Sequence, residues 1–258
     1  MPELVEVEIY RRSVEPVVGR RVEAVRTPDS WFLKGGVTPA ALDEALVGAS
    51  VRASRRLGKL LMVDIGDTTL GLRFGMTGRI VVDGSQPIER LLYSTVSSSE
   101  RFARFGIGFD DGSELSIIDP RRLGGVELAP DESALGPDAA TVSKRQIEAV
   151  LTGRRSLKAV LLDQSRIAGI GNLICDETLW RVGLDPTRPV ATLTSAEKAA
   201  LARAIRETVG VLTRRGGSHL GDLQDHRVEG GVCPRDGAPL TRAQVGGRTT
   251  YWCPQHQR

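Results

Sequence analysis

The ten residues Asp163–Asn172 read DQSRIAGIGN and place two glycines, Gly169 and Gly171, directly before a segment with the apolar spacing of a helix. Glycine lets the backbone approach a phosphate closely, and the first amides of a helix offer N–H donors to an anion. Glycine is also the default residue of any tight turn, so the run taken alone favours an ordinary connection. The surrounding sequence has to decide between the two interpretations.

Helical patterns lie on both sides of this run. The sequence predicts helices at about 143–151, 157–163, 172–182 and 195–214. The stretch 129–141 is rich in proline, glycine and aspartate, which is typical of a linker. The last 26 residues are rich in glycine and contain two cysteines, so we expect a small separate module there.

The first 130 residues have a different pattern. Apolar residues at spacings of three and four predict an amphipathic helix over 3–18. Short apolar runs separated by glycine turns follow, at 59–65, 69–74, 79–82, 106–109, 115–118 and 125–128. Asp-Gly dipeptides at 83 and 111 are typical of hairpins, so we predict an antiparallel β-sandwich.

The composition is that of an ordinary globular chain. Its 258 residues are enough to bury a core in one large or two modest domains. No apolar stretch is long enough for a bilayer, and the N-terminus lacks the basic start and apolar run of a signal peptide, so we expect a cytoplasmic protein. Three cysteines are too few for a disulfide framework, which fits a reducing compartment.

The basic residues favour a polyanionic partner. The formal net charge is +3 and the isoelectric point is about 8.9. Arginines occur in pairs at 11–12, 20–21, 55–56, 121–122, 154–155 and 214–215. Solvated arginines are common on any surface, so these charges indicate nucleic acid only if they share a face.

The N-terminus offers a candidate nucleophile. If Met1 is removed, as the small side chain after it permits, Pro2 becomes a secondary amine with a pKa of about 8. Such an amine attacks a carbonyl-like carbon to give an iminium, the Schiff base of sugar C1′ chemistry. Taken alone, Pro2-Glu3 favours a simpler interpretation as a helix opening, with proline in the first turn and glutamate complementing the helix dipole.

The C-terminal module has the ligand spacing of a zinc site. Two residues separate Cys233 from Asp236, and two separate Cys253 from His256. Aspartate is uncommon in a site of thiolate and imidazole, which leaves the fourth ligand open. The alternatives are a water molecule, His219 or His226. A hairpin without zinc, held by its apolar side chains, is the other possibility.

Six motifs occur in one order along the chain: Met1–Leu4, Gly58-Lys59, Gly75–Arg79, Asp119–Arg122, Asp163-Gln164 with Gly169–Asn172, and Val245–Thr249. In this order they resemble the formamidopyrimidine-DNA glycosylase and endonuclease VIII family, and the resemblance spans nearly the whole chain. It implies an α+β protein of three domains. These are an N-terminal catalytic β-sandwich with a flanking helix (1–130), a helix-two-turn-helix DNA-binding domain (131–222) and a C-terminal β-hairpin zinc finger (223–258).

The resemblance implies a bifunctional DNA glycosylase and AP lyase of base excision repair, which removes oxidised bases from damaged double-stranded DNA. We expect a nucleoid-associated monomer with one structural zinc and no redox or nucleotide cofactor. Once the nucleotide is flipped out, Pro2 would attack C1′ and Glu3 would pass protons to the opening sugar. Lys59 would bind phosphate or assist elimination, and Arg248 would bind the phosphate that leaves in a second elimination.

The resemblance also implies the DNA contacts. Asn172 would bind phosphates that flank the flipped nucleotide, supported by the helix dipole, and Arg121 would face the orphaned partner base. The full implied set is Met76, Arg104, Arg121, Arg122, Leu123, Arg154, Lys158 and Asn172, with Cys233, Asp236, Cys253 and His256 as metal ligands. Surface solvation is the alternative for the charged residues, and core packing is the alternative for Met76 and Leu123.

The chain departs from the family pattern at several positions. Leu123 stands where the formamidopyrimidine branch usually has a phenylalanine wedge, and Arg73 and Val5 replace a common histidine and proline. Only fifteen residues lie between Gly217 and Cys233, fewer than in branches that fold a long loop over an oxidised purine. The short segment favours pyrimidine lesions, bulky bases or a more open pocket. The aspartate and histidine of the finger replace cysteines.

Three alternatives remain at this stage. The first is an endonuclease VIII-like enzyme that prefers oxidised pyrimidines. The second is a lesion-binding protein without catalysis, although such a protein has no need of a terminal amine beside a carboxylate. The third is a zinc-ribbon structural or ribosome-associated protein, which leaves Pro2 and the turn at Asn172 unexplained.

Overall fold

The computed structural model describes residues 2–88, 91 and 100–258. They form two compact units. The first comprises Pro2 and Glu6–Glu132, and the second comprises Glu3–Val5 and Ser133–Arg258. Residues from the very start of the chain therefore belong to the second unit.

The first unit contains a helix and two four-stranded antiparallel sheets, with strand orders β1-β6-β7-β5 and β2-β3-β4-β8. Buried residues of both sheets and of helix α1 form one apolar core, so the predicted β-sandwich with a flanking helix is confirmed. The elements are α1 (Leu4–Val14), β1 (Val22–Arg26), α2 (Pro39–Leu46), β2 (Val51–Leu57), β3 (Leu60–Ile65), β4 (Thr68–Arg73), β5 (Arg79–Val82), β6 (Ala103–Phe109), β7 (Glu114–Ile118) and β8 (Gly125–Leu128).

Helix α1 forms where the apolar spacing predicts it. Val7, Tyr10 and Val14 are fully buried, and they lie three or four residues apart, as neighbours on one helix face must. The helix ends at Val14 rather than continuing to 18, because a 3-10 turn over Glu15–Val17 with a proline in its first turn follows.

The sequence analysis did not predict β1, β2 or α2. Strand β2 reads VRASRRL and buries only its first residue fully, so it lacks the apolar run by which the other strands were recognised. The Asp111-Gly112 turn joins β6 to β7 as predicted. The Asp83-Gly84 turn leads only to an isolated bridge between Val82 and Ser85, because β5 pairs with β7 instead.

The second unit contains the four predicted helices and a two-stranded hairpin. Helices α3 and α6 begin at capping boxes, and α5 and α6 end at glycines in the left-handed conformation. The elements are α3 (Lys144–Val150), α4 (Leu157–Leu161), α5 (Asn172–Val182), α6 (Ser195–Arg215), β9 (Thr241–Val245) and β10 (Arg248–Trp252). Among the described residues, no helix combines the length and apolar character that a membrane span requires.

Candidate functional site

The carboxylate of Glu3 closes the N-terminus of helix α5. Its Oε2 accepts hydrogen bonds from Gly171 N at 2.9 Å and Ile174 N at 3.1 Å, and its Oε1 accepts one from Leu173 N at 2.9 Å. Glu3 is only 1% exposed. A helix N-terminus leaves amide donors unpaired and favours an anion, and here the chain supplies that anion itself. The amides that the sequence analysis offered to a phosphate are bonded to Glu3.

The glycines before α5 are required by this contact. A Cβ at Gly171 would overlap the carboxyl group of Glu3, and Gly169 in the same turn has φ of +108°. The Gln164 side chain brackets the turn, since its Oε1 accepts from Gly169 N at 3.0 Å and its Nε2 donates to Ile170 O at 3.0 Å. The run DQSRIAGIGN therefore builds a pocket for one carboxylate.

The four predicted catalytic residues divide between the units. Pro2 and Lys59 belong to the first, and Glu3 and Arg248 belong to the second. Pro2 is buried and precedes Glu3 directly. Lys59 is half-buried in the two-residue turn between β2 and β3, where Gly58 has φ of +58°. Arg248 is exposed at the start of β10.

The β9–β10 hairpin is fixed against the helices of its unit. A Cβ at Gly246, in the hairpin turn, would lie 3.0 Å from the Cα atom of Ala159 in α4. The side chain of Asn172 donates from Nδ2 to the backbone oxygen of Thr249 at 3.1 Å. Arg248 thus emerges beside the residue that Asn172 binds, with an exposed guanidinium.

A buried ionic group holds the same hairpin. The carboxylate of Asp176 accepts from Lys158 Nζ at 2.5 Å, from Arg227 Nη2 at 2.8 Å and from Tyr251 N at 3.4 Å. Lys158 is fully buried, and the Arg227 guanidinium also lies 5.6 Å from the centre of the Tyr251 ring. Lys158 was predicted to contact DNA; in the structure its ammonium binds Asp176, and the DNA contact stays a prediction.

In the first unit, Asp119 organises two loops that carry predicted DNA contacts. Its carboxylate accepts from Thr77 Oγ1 at 2.5 Å, from Arg121 N at 3.2 Å and from Gly124 N at 2.8 Å. It is fully buried. A Cβ at Gly75 would overlap the backbone on the other loop. The loops bearing Met76, Arg121 and Leu123 are therefore in contact.

The side chains on these loops differ in their exposure. Arg121 and Leu123 are exposed, and Met76 is half-buried. Arg122 donates to Asp29 Oδ1 at 2.6 Å, while Arg104 donates from Nε to the backbone oxygen of Asp119 at 2.9 Å. In the second unit, Arg154 is exposed.

The four predicted zinc ligands lie together, with one ligand atom of each within 4.8 Å of the others. Cys233 Sγ and His256 Nδ1 are 3.7 Å apart, and Cys253 Sγ lies 3.3 Å from Asp236 Oδ2. Asp236 Oδ2 lies 3.0 Å from His256 Nδ1. Tetrahedral zinc, with bonds of about 2.0–2.3 Å, separates its ligands by roughly 3.3–3.8 Å. The first two separations lie in this range, and the distance of 3.0 Å between Asp236 and His256 is a few tenths of an ångström shorter. His219 and His226 are not members of this group.

The surroundings of the group favour metal binding. His256 Nε2 lies 3.1 Å from the backbone oxygen of Trp180, so Nε2 donates and Nδ1 keeps the lone pair for a metal. The indole of Trp180 donates to Cys233 Sγ at 3.3 Å, which orients this sulfur. A hydrogen bond from Ala238 N lowers the pKa of the Asp236 carboxyl, which keeps this ligand ionised. The donor set therefore fits zinc.

Some residues of this arrangement had no role in the sequence analysis. Asp119 and Gln164 lie in the quoted motifs, so their positions were noted without their contacts. Asp176 and Arg227 gave no signal, because a carboxylate inside a helix and an arginine in a loop are normally solvated.

Comparison with known proteins gives the family. The sequence model of the formamidopyrimidine-DNA glycosylase N-terminal domain matches residues 1–126, and the model of the H2TH domain of the same enzymes matches residues 133–222. Formamidopyrimidine-DNA glycosylases from Geobacillus kaustophilus and Cereibacter sphaeroides are 32% and 34% identical to the chain, and each comparison covers both proteins completely.

Solved structures agree with this result. The structure of the Lactococcus lactis Fpg with DNA containing an abasic site superimposes with a TM-score of 0.83 at 25% identity, over the full length of both chains. These matches define a DNA glycosylase of the helix-two-turn-helix class. The chain belongs to the formamidopyrimidine-DNA glycosylase family.

We expect Gly171→Ala to lower excision activity on the order of tenfold or more, because the new methyl group displaces the Glu3 carboxylate from the helix amides. Gly210→Ala in α6 is the matched control, since its Cβ meets no atom nearer than 3.5 Å. Excision rates and thermal melting of both variants check this. Full activity in Gly171→Ala would show that the position of the Glu3 carboxylate on the helix amides is not required.

We expect Asp176→Asn to lower the free energy of unfolding by about 3–5 kcal/mol, because Lys158 and Arg227 would stay buried without a countercharge. Urea denaturation measures the change. The exposed Asp225→Asn variant should differ from the parent by less than about 0.5 kcal/mol. Equal stability of the two variants would show that the buried group contributes nothing.

We expect the purified protein to contain about one zinc ion per chain by elemental mass spectrometry, and Cys253→Ala to lose it. Cys175→Ala is the control, because this cysteine is buried in α5 outside the ligand group. Wild-type protein that binds no zinc would refute the ligand set.

Proposed function

We propose that this protein is a bifunctional DNA glycosylase and AP lyase that removes oxidised bases through a Schiff base on Pro2. The observation that carries the proposal is the fixed carboxylate of Glu3, next in the chain to the candidate nucleophile. A buried carboxylate that caps a distant helix gives the terminal amine a defined position. A protein that only binds lesions has no use for this arrangement.

The steps follow from the chemistry of these groups. After removal of Met1, the lone pair of the Pro2 nitrogen attacks C1′ of the flipped nucleotide, and the bond from C1′ to the base breaks as the base leaves as an anion that takes a proton from water. Glu3 accepts the proton that the Pro2 nitrogen loses and passes it to the ring oxygen, so the sugar opens to an iminium between Pro2 and C1′. Loss of a C2′ proton then expels the 3′ phosphate, and water finally releases the enzyme.

The remaining predicted residues bind DNA in this proposal. Arg248, exposed beside Thr249 and Asn172, binds the phosphate expelled in a second elimination. The two loops joined by Asp119 enter the gap left by the flipped base, with Leu123 as apolar wedge and Arg121 as donor to the orphaned base. Zinc in the finger is structural, because four protein ligands leave no open position for chemistry.

A preference for oxidised pyrimidines is the second candidate, and it rests on the segment between Gly217 and Cys233. This segment folds into two 3-10 turns, and the carboxylate of Glu177 accepts from Asp222 N at 3.1 Å and Leu223 N at 2.9 Å. A short segment pinned to α5 supplies no long loop to cover a purine. Excision rates on duplexes with 8-oxoguanine and with an oxidised pyrimidine distinguish the two candidates.

We expect borohydride to trap the wild-type protein covalently on abasic-site DNA. An inserted alanine between Met1 and Pro2 converts the proline nitrogen into an amide, so it should abolish both trapping and base excision, by more than about a hundredfold. Glu3→Gln is the matched control, since it keeps the amine and should trap on abasic DNA while excising bases slowly. Binding to an abasic analogue without a C1′ hydroxyl should persist in both variants.

Trapping that survives the alanine insertion would contradict the nucleophile assignment. Binding without any trapping by the wild type would instead favour the lesion-binding protein.

A further inference from the structure

Trp31 is the most exposed of the large apolar side chains among the described residues, at 67%. The other two tryptophans of the chain, Trp180 and Trp252, are 7% and 9% exposed. A single exposed apolar residue is common on protein surfaces, so exposure alone decides nothing. The contacts of the turn that carries Trp31 indicate a function for the exposed side chain.

The backbone holds the indole outward. Trp31 is the centre of a 3-10 turn, and Phe32 N donates to Asp29 O at 3.0 Å. Phe32 is fully buried and Leu33 is 9% exposed, and both belong to the sandwich core. Lys34 donates from Nζ to the Trp31 backbone oxygen at 2.8 Å, and this ammonium lies 5.2 Å from the centre of the indole. A rigid aromatic presented this way loses little conformational entropy when it binds.

The turn packs against the loop that carries Arg121 and Leu123. Lys34 N donates to Val126 O at 2.8 Å, immediately after this loop. A Cβ at Gly124 would lie 3.0 Å from the Phe32 ring. The turn that carries Trp31 is thus adjacent to the loop that carries the proposed wedge.

Three cations lie on the turn that carries Trp31 or pair with it. The Lys34 ammonium lies 5.2 Å from the centre of the indole, and the Asp29 carboxylate binds Arg122 at 2.6 Å and lies 3.5 Å from Arg104. An aromatic face among lysine and arginine side chains is the chemistry by which proteins grip nucleic acid: the cations bind phosphates and the ring packs on sugar or base. An apolar protein partner would have to bury the Lys34 ammonium together with the ring.

We propose that Trp31 is a DNA-contacting residue, with its indole packed against the nucleotide beside the gap that the flipped base leaves. The inference rests on the proposed function. Leu123 offers a smaller apolar surface than an aromatic wedge, and Trp31 supplies aromatic area to the same face.

The test compares wild type, Trp31→Phe, Trp31→Ala and the control Val47→Ala, which truncates another exposed apolar residue of the same unit. Fluorescence anisotropy measures the affinity for a duplex that carries an uncleavable abasic analogue, and tryptophan emission is recorded during the titration. Trp31→Ala should bind about tenfold more weakly, as loss of one base–aromatic contact predicts. Trp31→Phe and Val47→Ala should bind within about threefold of wild type.

Two further readouts separate contact from folding. DNA should quench the emission of wild type but not of Trp31→Phe, since the remaining tryptophans are buried. Thermal melting of Trp31→Ala should match that of wild type, because the indole is exposed and lies outside the core, so weaker binding would then report a lost contact.

Equal affinity of Trp31→Ala and wild type, or quenching that persists in Trp31→Phe, would overturn the Trp31 assignment and leave the proposed function intact. Failure of wild type to bind any duplex would overturn both. A wild-type dimer that Trp31→Ala converts to a monomer in sedimentation would assign the indole to a second copy of the chain and also overturn the inference.

Discussion

The buried carboxylate of Glu3 closes the first turn of helix α5 through three backbone amides, and the proposed chemistry depends on this contact. The bonded positions are 168–171 residues from Glu3 in the chain, so the contact forms only when the N-terminus and the helical unit fold together. Leaving these buried donors unpaired would cost about 1–3 kcal/mol each. The same bonds orient the backbone that leads to Pro2, so stability and the proposed catalysis require one geometry.

In the second unit, another buried carboxylate also fixes the backbone near a predicted catalytic residue. Asp176 binds two buried cations and the backbone of β10, and Asn172 binds the same strand two residues earlier, at Thr249. Between these contacts and the hairpin turn, Arg248 has little freedom of backbone position while its guanidinium remains exposed. An exposed cation on a fixed backbone suits the phosphate that the proposed second elimination expels.

Features that depend on residues close together in the chain could be predicted from the sequence. The four helices of the second unit followed from apolar spacing, and the metal group followed from two pairs of ligands with the same separation. Strand β2 was missed because its arginines interrupt any apolar pattern. Its hydrogen bonds to β3 stabilise it, and these partners are not visible in the sequence of β2 itself. Lys158 was expected on the surface because nothing adjacent in sequence reveals that its countercharge lies 18 residues away.

A single point of covalent attachment to DNA follows from the proposed mechanism. Proteolysis of the borohydride-trapped complex, followed by mass spectrometry of the peptide that carries the sugar fragment, locates that point directly. The predicted result is modification of the N-terminal peptide at the Pro2 nitrogen, with Met1 absent. Attachment at Lys59, or at any other lysine, would contradict the account, because the carboxylate held on helix α5 would then stand beside a residue that takes no part in bond formation.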